Sequence, residues 1–148
     1  MVTQAQSEVK VSEDEVYTFR KGIPGFEQYS EFTIFRHDEH FSFLQSMEEE
    51  EVAFIIINPF SFFPDYEFEL SDTDLEELHI NSESEVAVRT IVTWGDELTK
   101  VTTNLMAPLV FNVEERIGKQ IVLNRSNYTT KHFLHLGGRT TAGGDSSC

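Results

Sequence analysis

Cysteine is all but missing from this chain: the one residue present is Cys148, at the very end. That excludes an internal disulfide and any cysteine-based metal cage. Long apolar runs are missing too. The longest, Val52 to Ile57, is far short of the ~20 residues that a membrane-spanning helix needs. The first ten residues lack both the basic start and the apolar stretch of about 7 to 15 residues that mark a secretory signal. The expectation is a cytoplasmic protein with no membrane partner. Cations are scarce as well, with 11 Lys and Arg against 26 Asp and Glu, a net charge of −15. Between Arg36 and Arg89 there is no Lys or Arg, while fifteen acids fall in that stretch. Such a field repels phosphate and attracts cations, which argues against nucleic acid as a direct ligand and for a basic protein partner. Solubility is the alternative use of the same charge.

What is present suits one β-domain. A chain of 148 residues with 39% hydrophobic content can bury about 68–70% of its unfolded surface in a single core. Thirteen Phe residues supply large planar side chains for it. Alternation of apolar and polar residues marks half-buried strands. Tyr66, Phe68 and Leu70 alternate with Glu67 and Glu69, and Val86, Val88 and Val92 share one side of a run ending at Trp94. Gly95 and Asp96 then make a turn, with Leu98 to Asn104 as the returning strand. Phe32–Phe35 and Phe41–Gln45 flank Asp38 and Glu39 as a second hairpin. Val52 to Ile57 is apolar at consecutive positions, as a central strand covered on both faces would be. Ser71 and Asp74 resemble a capping box with Asp in place of Glu, and Leu75 and Leu78 follow on one helical face. One helix of about two turns, ending near Asn81, is expected. The fold class is all-β: a small single-domain antiparallel β-barrel with one short helix, over residues 1–135. Residues 136–148 have no apolar periodicity and read as a flexible tail.

Several constellations mimic active sites. His37 and His40 stand at HxxH spacing, but on a hairpin turn that spacing does not aim both rings at one metal; His132 and His135 repeat it near the tail. Asp72, Asp74 and Glu76 suggest a calcium loop, yet Glu77 stands where the sharp turn needs Gly. No GxSxG elbow and no HExxH occur, and Gly22 and Gly25 enclose only Ile23 and Pro24, which is no phosphate loop. The sequons Asn124–Ser126 and Asn127–Thr129 lack the secretory route that would use them. No catalysis, metal or cofactor is expected. A metal-dependent hydrolase using His37, His40 and nearby acids is the rival from another class.

The segment Asn58, Pro59, Phe60, Ser61, Phe62, Phe63, Pro64, Asp65, Tyr66 sets four aromatics between and beside two prolines, just after the central strand. These rings either cap one end of the barrel or form an anchor patch for an apolar, basic partner.

GIPGFE at Gly22–Glu27, FSFLQS at Phe41–Ser46, FIIINPFSFFPDYEFEL at Phe54–Leu70, NLMAPLVFN at Asn104–Asn112 and GKQIVLN at Gly118–Asn124, then Tyr128, together resemble the FliW family of bacterial flagellar assembly factors. The resemblance runs from about Val16 to His132 and leaves the tail unmatched. It implies a small β-barrel, monomeric when alone, that binds flagellin and CsrA, a small RNA-binding repressor of translation, in alternation. Held by such a protein, CsrA would not repress the flagellin message; surplus flagellin would release it. On that basis Asn58, Phe60, Phe62, Phe63, Asp65 and Tyr66 are expected to meet flagellin. Glu48, Glu49, Glu50, Glu67, Glu69, Asp72 and Glu76 are expected to face CsrA. A flagellin chaperone indifferent to CsrA remains the nearer alternative.

Overall fold

The computed structural model describes residues 2–3, 6, 9–11, 15–95, 100–124 and 126–135. The expected turn at Asp96, the start of the returning strand at Leu98 and Thr99, Arg125 of the first sequon, and the tail with Cys148 lie outside the described residues.

Nine strands occur among the described residues: β1 (Val16–Thr18), β2 (Glu31–Arg36), β3 (Phe41–Ser46), β4 (Ala53–Ile57), β5 (Val86–Trp94), β6 (Val101–Thr103), β7 (Leu109–Asn112), β8 (Ile117–Gln120) and β9 (His132–Phe133). The order β4-β3-β2-β1-β8-β7-β5 closes on itself because β5 also pairs with β4, which makes a seven-stranded barrel. Closure removes the free edges that an open sheet would present. Every strand pairing is antiparallel except β1 with β8, a parallel seam at Thr18 and Ile117. β6 pairs with the far end of β5 and carries β9.

Both expected hairpins form. β2 and β3 pair from Phe32 opposite Ser46 to Arg36 opposite Ser42, and β5 pairs with β6 from Val92 opposite Thr103 to Trp94 opposite Val101. β4 is central, with β3 on one edge and β5 on the other. Inside the barrel, Tyr17, Phe19, Phe32, Ile34, Leu44, Ile56, Ala87, Leu109 and Phe111 pack as one core. Phe19 meets Phe32 at 5.4 Å and Phe111 at 5.7 Å, both edge to face, the arrangement that ring quadrupoles favour. In the GIPGFE segment Gly22 takes φ 67°, which only glycine adopts without cost; this turns Ile23 into the core and Phe26 onto Phe54 at 5.1 Å. A second core lies outside the wall, where Phe60, Tyr66, Phe68 and Leu78 cover Val86, Val88 and Val110.

Two local readings are corrected. Tyr66 to Leu70 does not join the sheet: its inward and outward alternation holds, but its one ladder contact is the bridge of Phe68 to Val2. It crosses the outside of the barrel, and the Glu67 N–H donates to the Tyr128 hydroxyl at 3.1 Å instead of to a strand. The helix, α1 (Asp72–Glu77), is six residues long and stops before Asn81. Ser71 caps it by accepting from the Asp74 N–H at 3.0 Å, but the Asp74 carboxylate takes Lys119 at 2.6 Å and closes no capping box. Its end is a Schellman motif built without glycine: His79 adopts φ 56°, and the Ile80 N–H reaches the Leu75 carbonyl at 2.9 Å. Asn112, fully buried, holds this end by donating to the carbonyls of Leu78 at 2.8 Å and His79 at 3.1 Å. A full capping box does occur, at Ser82 and Glu85, just before β5.

Gly118 tests the tightness of the barrel interior. A Cβ there would lie 2.6 Å from the tip of the Phe19 ring, which is itself wholly enclosed. Gly118→Ala should cost about 1–3 kcal/mol by overpacking. A fall in the urea midpoint with unchanged slope would register it, and an unchanged midpoint would show that the Phe19 layer yields.

Candidate partner interface

The acids divide into those that bind the protein's own backbone or lysines and those that face solvent. In the β3–β4 turn, Glu48 Oε1 accepts from the N–H groups of Ser30 at 2.9 Å and Glu31 at 3.1 Å. Glu49 Oε2 accepts from the Glu51 N–H at 3.4 Å, while Glu50 is exposed. Lys119 bridges Asp74 and Glu77, and Lys21 joins Glu77 at 2.9 Å. Glu67, Glu69, Asp72 and Glu76 are exposed and take part in none of the ion pairs among the described residues. Glu67 and Glu69 edge a groove of about 740 Å³ whose opposite lip is Ile121–Asn124, with Val122 49% exposed. The groove is acidic on one side and apolar on the other.

The aromatics form a separate surface. In the segment after β4, Asn58 caps the turn Pro59–Ser61 by accepting from the Phe60 N–H at 3.0 Å. Phe60 and Tyr66 point inward, each 2% exposed, and the Tyr66 hydroxyl donates to the Leu105 carbonyl at 2.7 Å. Burial, and then the neighbouring Tyr128, push that phenol far above its ordinary value. Phe62 and Phe63 stay half-buried and Asp65 is exposed. With Leu105, Tyr128 and His132 they line a cleft of about 330 Å³. Phe62 also touches His40 at 5.4 Å, and on the outer barrel wall Phe35 lies against Phe43 at 5.4 Å and Phe41 against Trp94 at 5.5 Å. Phe35 is 39% and Trp94 42% exposed, a surface too apolar to be incidental.

A family model described as FliW protein matches residues 1–134. The flagellar assembly factor FliW of Anoxybacillus flavithermus is 44% identical over 133 residues, 89% of this chain and 92% of that one. That of Bacillus subtilis is 39% identical over 132 residues, covering 88% and 92%. A crystal structure of the flagellar assembly factor FliW superposes with a TM-score of 0.78 at 39% identity, covering 90% of this chain and 94% of the other. The chain belongs to the FliW family.

For this FliW-family chain the geometry sorts the residues expected to meet partners. Phe60 and Tyr66 are each 2% exposed, with their rings in the second core, and Tyr66 also backs the aromatic cleft; Asn58 caps the turn. Phe62, Phe63 and Asp65 remain presentable. The turn of Glu48–Glu50 and the aromatic segment leave β4 at opposite ends, so they belong to different faces. Glu67, Glu69, Asp72 and Glu76 have no ion-pair partner among the described residues. Sequence reasoning missed Phe35, Phe43 and Trp94; the available signal was that β2 carries rings at both parities, Phe32 inward and Phe35 outward, while the rings of β3, Phe41 and Phe43, stand at the parity opposite to its buried Leu44. His37 and His40 pack on Phe43 and Phe62, and among the described residues no group of three His, Cys, Asp or Glu is placed to hold a metal. No helix among them is long and apolar enough to cross a membrane.

The Lys119 bridge anchors α1 beside the groove. The hydrogen bond from Lys119, and then that from Lys21, hold the Glu77 carboxyl down to about 2 from an ordinary 4.5. A folded value below the unfolded one stabilises above pH 4.5, and that contribution drains away as pH falls towards 2. Lys119→Met should lower the melting temperature at pH 7, with the gap to the parent protein closing between pH 4.5 and 2. A gap that stays constant across that window would mean that Lys119 acts through packing alone.

Proposed function

We propose that this chain is a flagellar assembly factor that acts in the cytoplasm by partner exchange, holding CsrA away from RNA until flagellin displaces it. The observation that carries the reading is the separation of two surfaces on one small barrel. One is the row of exposed carboxylates at Glu67, Glu69, Asp72 and Glu76, which have no ion-pair partner among the described residues, with Glu50 apart from it at the β3–β4 turn. The other is the aromatic surface of Phe62, Phe63, Phe35 and Trp94.

A protein that binds RNA must present positive charge, and the acidic groove complements it. A body of charge −15 docked nearby disfavours phosphate without covering the RNA site, within a Debye length of about 8 Å at physiological salt. Antagonism of this kind need not be competitive. Flagellin's terminal segments are apolar amphipathic helices, and a helix lays its apolar face against aromatic anchors. Whatever factor flagellin imposes on CsrA affinity, CsrA imposes on flagellin affinity.

Calorimetric titration tests the scheme. Binding of CsrA should weaken as salt is raised, fall by about 5- to 150-fold with saturating flagellin, and fall roughly tenfold in the double variant Glu67→Lys with Glu69→Lys. CsrA binding insensitive to salt would remove the electrostatic account, and no heat with CsrA would leave a flagellin chaperone. Phe62→Ala should weaken flagellin by about tenfold or more, as loss of a buried anchor does, while CsrA affinity stays within about twofold. Flagellin binding untouched in a folded Phe62→Ala protein would exclude the aromatic surface.

A further inference from the structure

The two arginines that bound the cation-free stretch, Arg36 and Arg89, converge on one cavity. Interior positions recur every second residue along a strand. Arg36 stands two beyond the buried Ile34 on β2, and Arg89 two beyond the buried Ala87 on β5. Both therefore follow the barrel's inner face beyond its apolar layers. There they line a polar cavity of about 310 Å³ at the mouth formed by the β2–β3 turn and the exit of β4, with Ser42 and Asn58 among its walls.

Neither guanidinium has a carboxylate partner among the described residues. Arg89 donates Nη1 to the Val88 carbonyl at 2.7 Å, and Arg36 donates Nε to the Asp38 carbonyl at 3.1 Å. Of the two carboxylates lining the cavity, Asp38 uses its Oδ1 to accept from the N–H groups of His40 at 2.9 Å and Phe41 at 2.8 Å. A guanidinium has five N–H donors, so most of the donor capacity of both residues is unspent among the described residues. Two like charges aimed into one confined space repel each other unless an anion lies between them. Burial pushes the Arg89 guanidinium down to about 10, which leaves it charged at neutral pH.

We propose that this mouth is a binding site for a carboxylate group, received by Arg36 and Arg89 and carried on a short aliphatic body. The charge count sets the valence. Among the described residues that line the cavity, Lys10, Arg36 and Arg89 stand against Asp38 and Glu39, an excess of one Lys or Arg over the acids, which suits a monoanion. The acidic rim and the overall charge of −15 turn away a doubly charged phosphate. Paired guanidinium N–H groups match the two oxygens of a carboxylate. Val11, Ile34 and Ile57 supply apolar wall for a chain of a few carbons. The carboxylate comes either from a free short-chain acid or from the C-terminus of a peptide.

NMR titration of the whole protein, reading the guanidinium Nε–Hε signals of Arg36 and Arg89, decides. The probes are butyrate, its neutral isostere butyramide, inorganic phosphate, and a short apolar peptide with a free or an amidated C-terminus. Butyrate should shift both signals saturably, and butyramide and phosphate should not. Arg36→Gln, at an exposed strand end where folding is not at risk, should weaken butyrate by about tenfold, the loss of one charge-assisted contact. Stronger binding of the free-acid peptide than of butyrate, absent in the amide, assigns the peptide source; the reverse ranking assigns the free acid. Equal shifts with butyrate and butyramide, saturation by phosphate at the same concentration as butyrate, or an Arg36→Gln protein that binds as the parent does would overturn the proposal.

Discussion

The nine residues of β5 are the constraint on which the rest of this molecule depends. The strand is paired along both edges, with β4 on one and with β7 and then β6 on the other. Both of its faces are covered as well. Ala87 and Ile91 face the barrel interior, Val86 and Val88 face the outer layer of Phe60, Tyr66 and Leu78, and Val92 packs under Val101 and Leu134. Three apolar clusters thus meet on one strand, each buried valine contributing about 1.5–3 kcal/mol. A strand so placed admits no change of register, because a slip of one residue would exchange the interior face for the outer one. Its capping box at Ser82 and Glu85 and the Asn112 bonds to the end of α1 fix where it begins.

That demand explains what becomes of the aromatic segment. The outer face of β5 must be covered, and residues 58–70 cover it, so Phe60 and Tyr66 are consumed as core, while the 3-10 turn at Pro59–Ser61 leaves Phe62 and Phe63 half-buried at the surface. The acids that follow come from strand-like alternation over Tyr66–Leu70: Tyr66 and Phe68 are buried, Glu67 and Glu69 are not. One stretch of chain therefore builds a core, an aromatic cleft and an acidic groove together, through the 3-10 turn at its start and strand-like alternation at its end.

Much of this was legible in the chain. Both hairpins, the central β4 and the single helix follow from period and turn chemistry, and these are local signals. The FliW-family motifs located the same block of sequence as the geometry does. What could not be read was non-local. The last turn of α1 ends at Leu78 because Asn112, far along the chain, captures its carbonyls; without that partner the sequence reads on to Asn81. Tyr66–Leu70 alternates as a strand does, yet pairs at a single bridge, because closure of the barrel by β4 and β5 leaves it no edge to join. The choice between a ring in the core and a ring at the surface, Phe60 against Phe62, depends on a 3-10 turn that Asn58 caps.

The same architecture bears on how one partner can influence another. Tyr66 stands between the two surfaces. Its ring meets Phe60 at 5.7 Å, Phe68 at 5.5 Å and Tyr128 at 4.7 Å. Tyr128 in turn lines the aromatic cleft and receives the Glu67 N–H at the edge of the acidic groove. A close-packed interior transmits displacement rather than absorbing it. A ligand that spreads the cleft at Phe63 and Tyr128 therefore acts on the backbone that carries Glu67. Coupling so transmitted is reciprocal and modest, about 1–3 kcal/mol in proteins generally. That is enough to exchange partners of similar affinity when their concentrations cross, and it requires no overlap of their footprints.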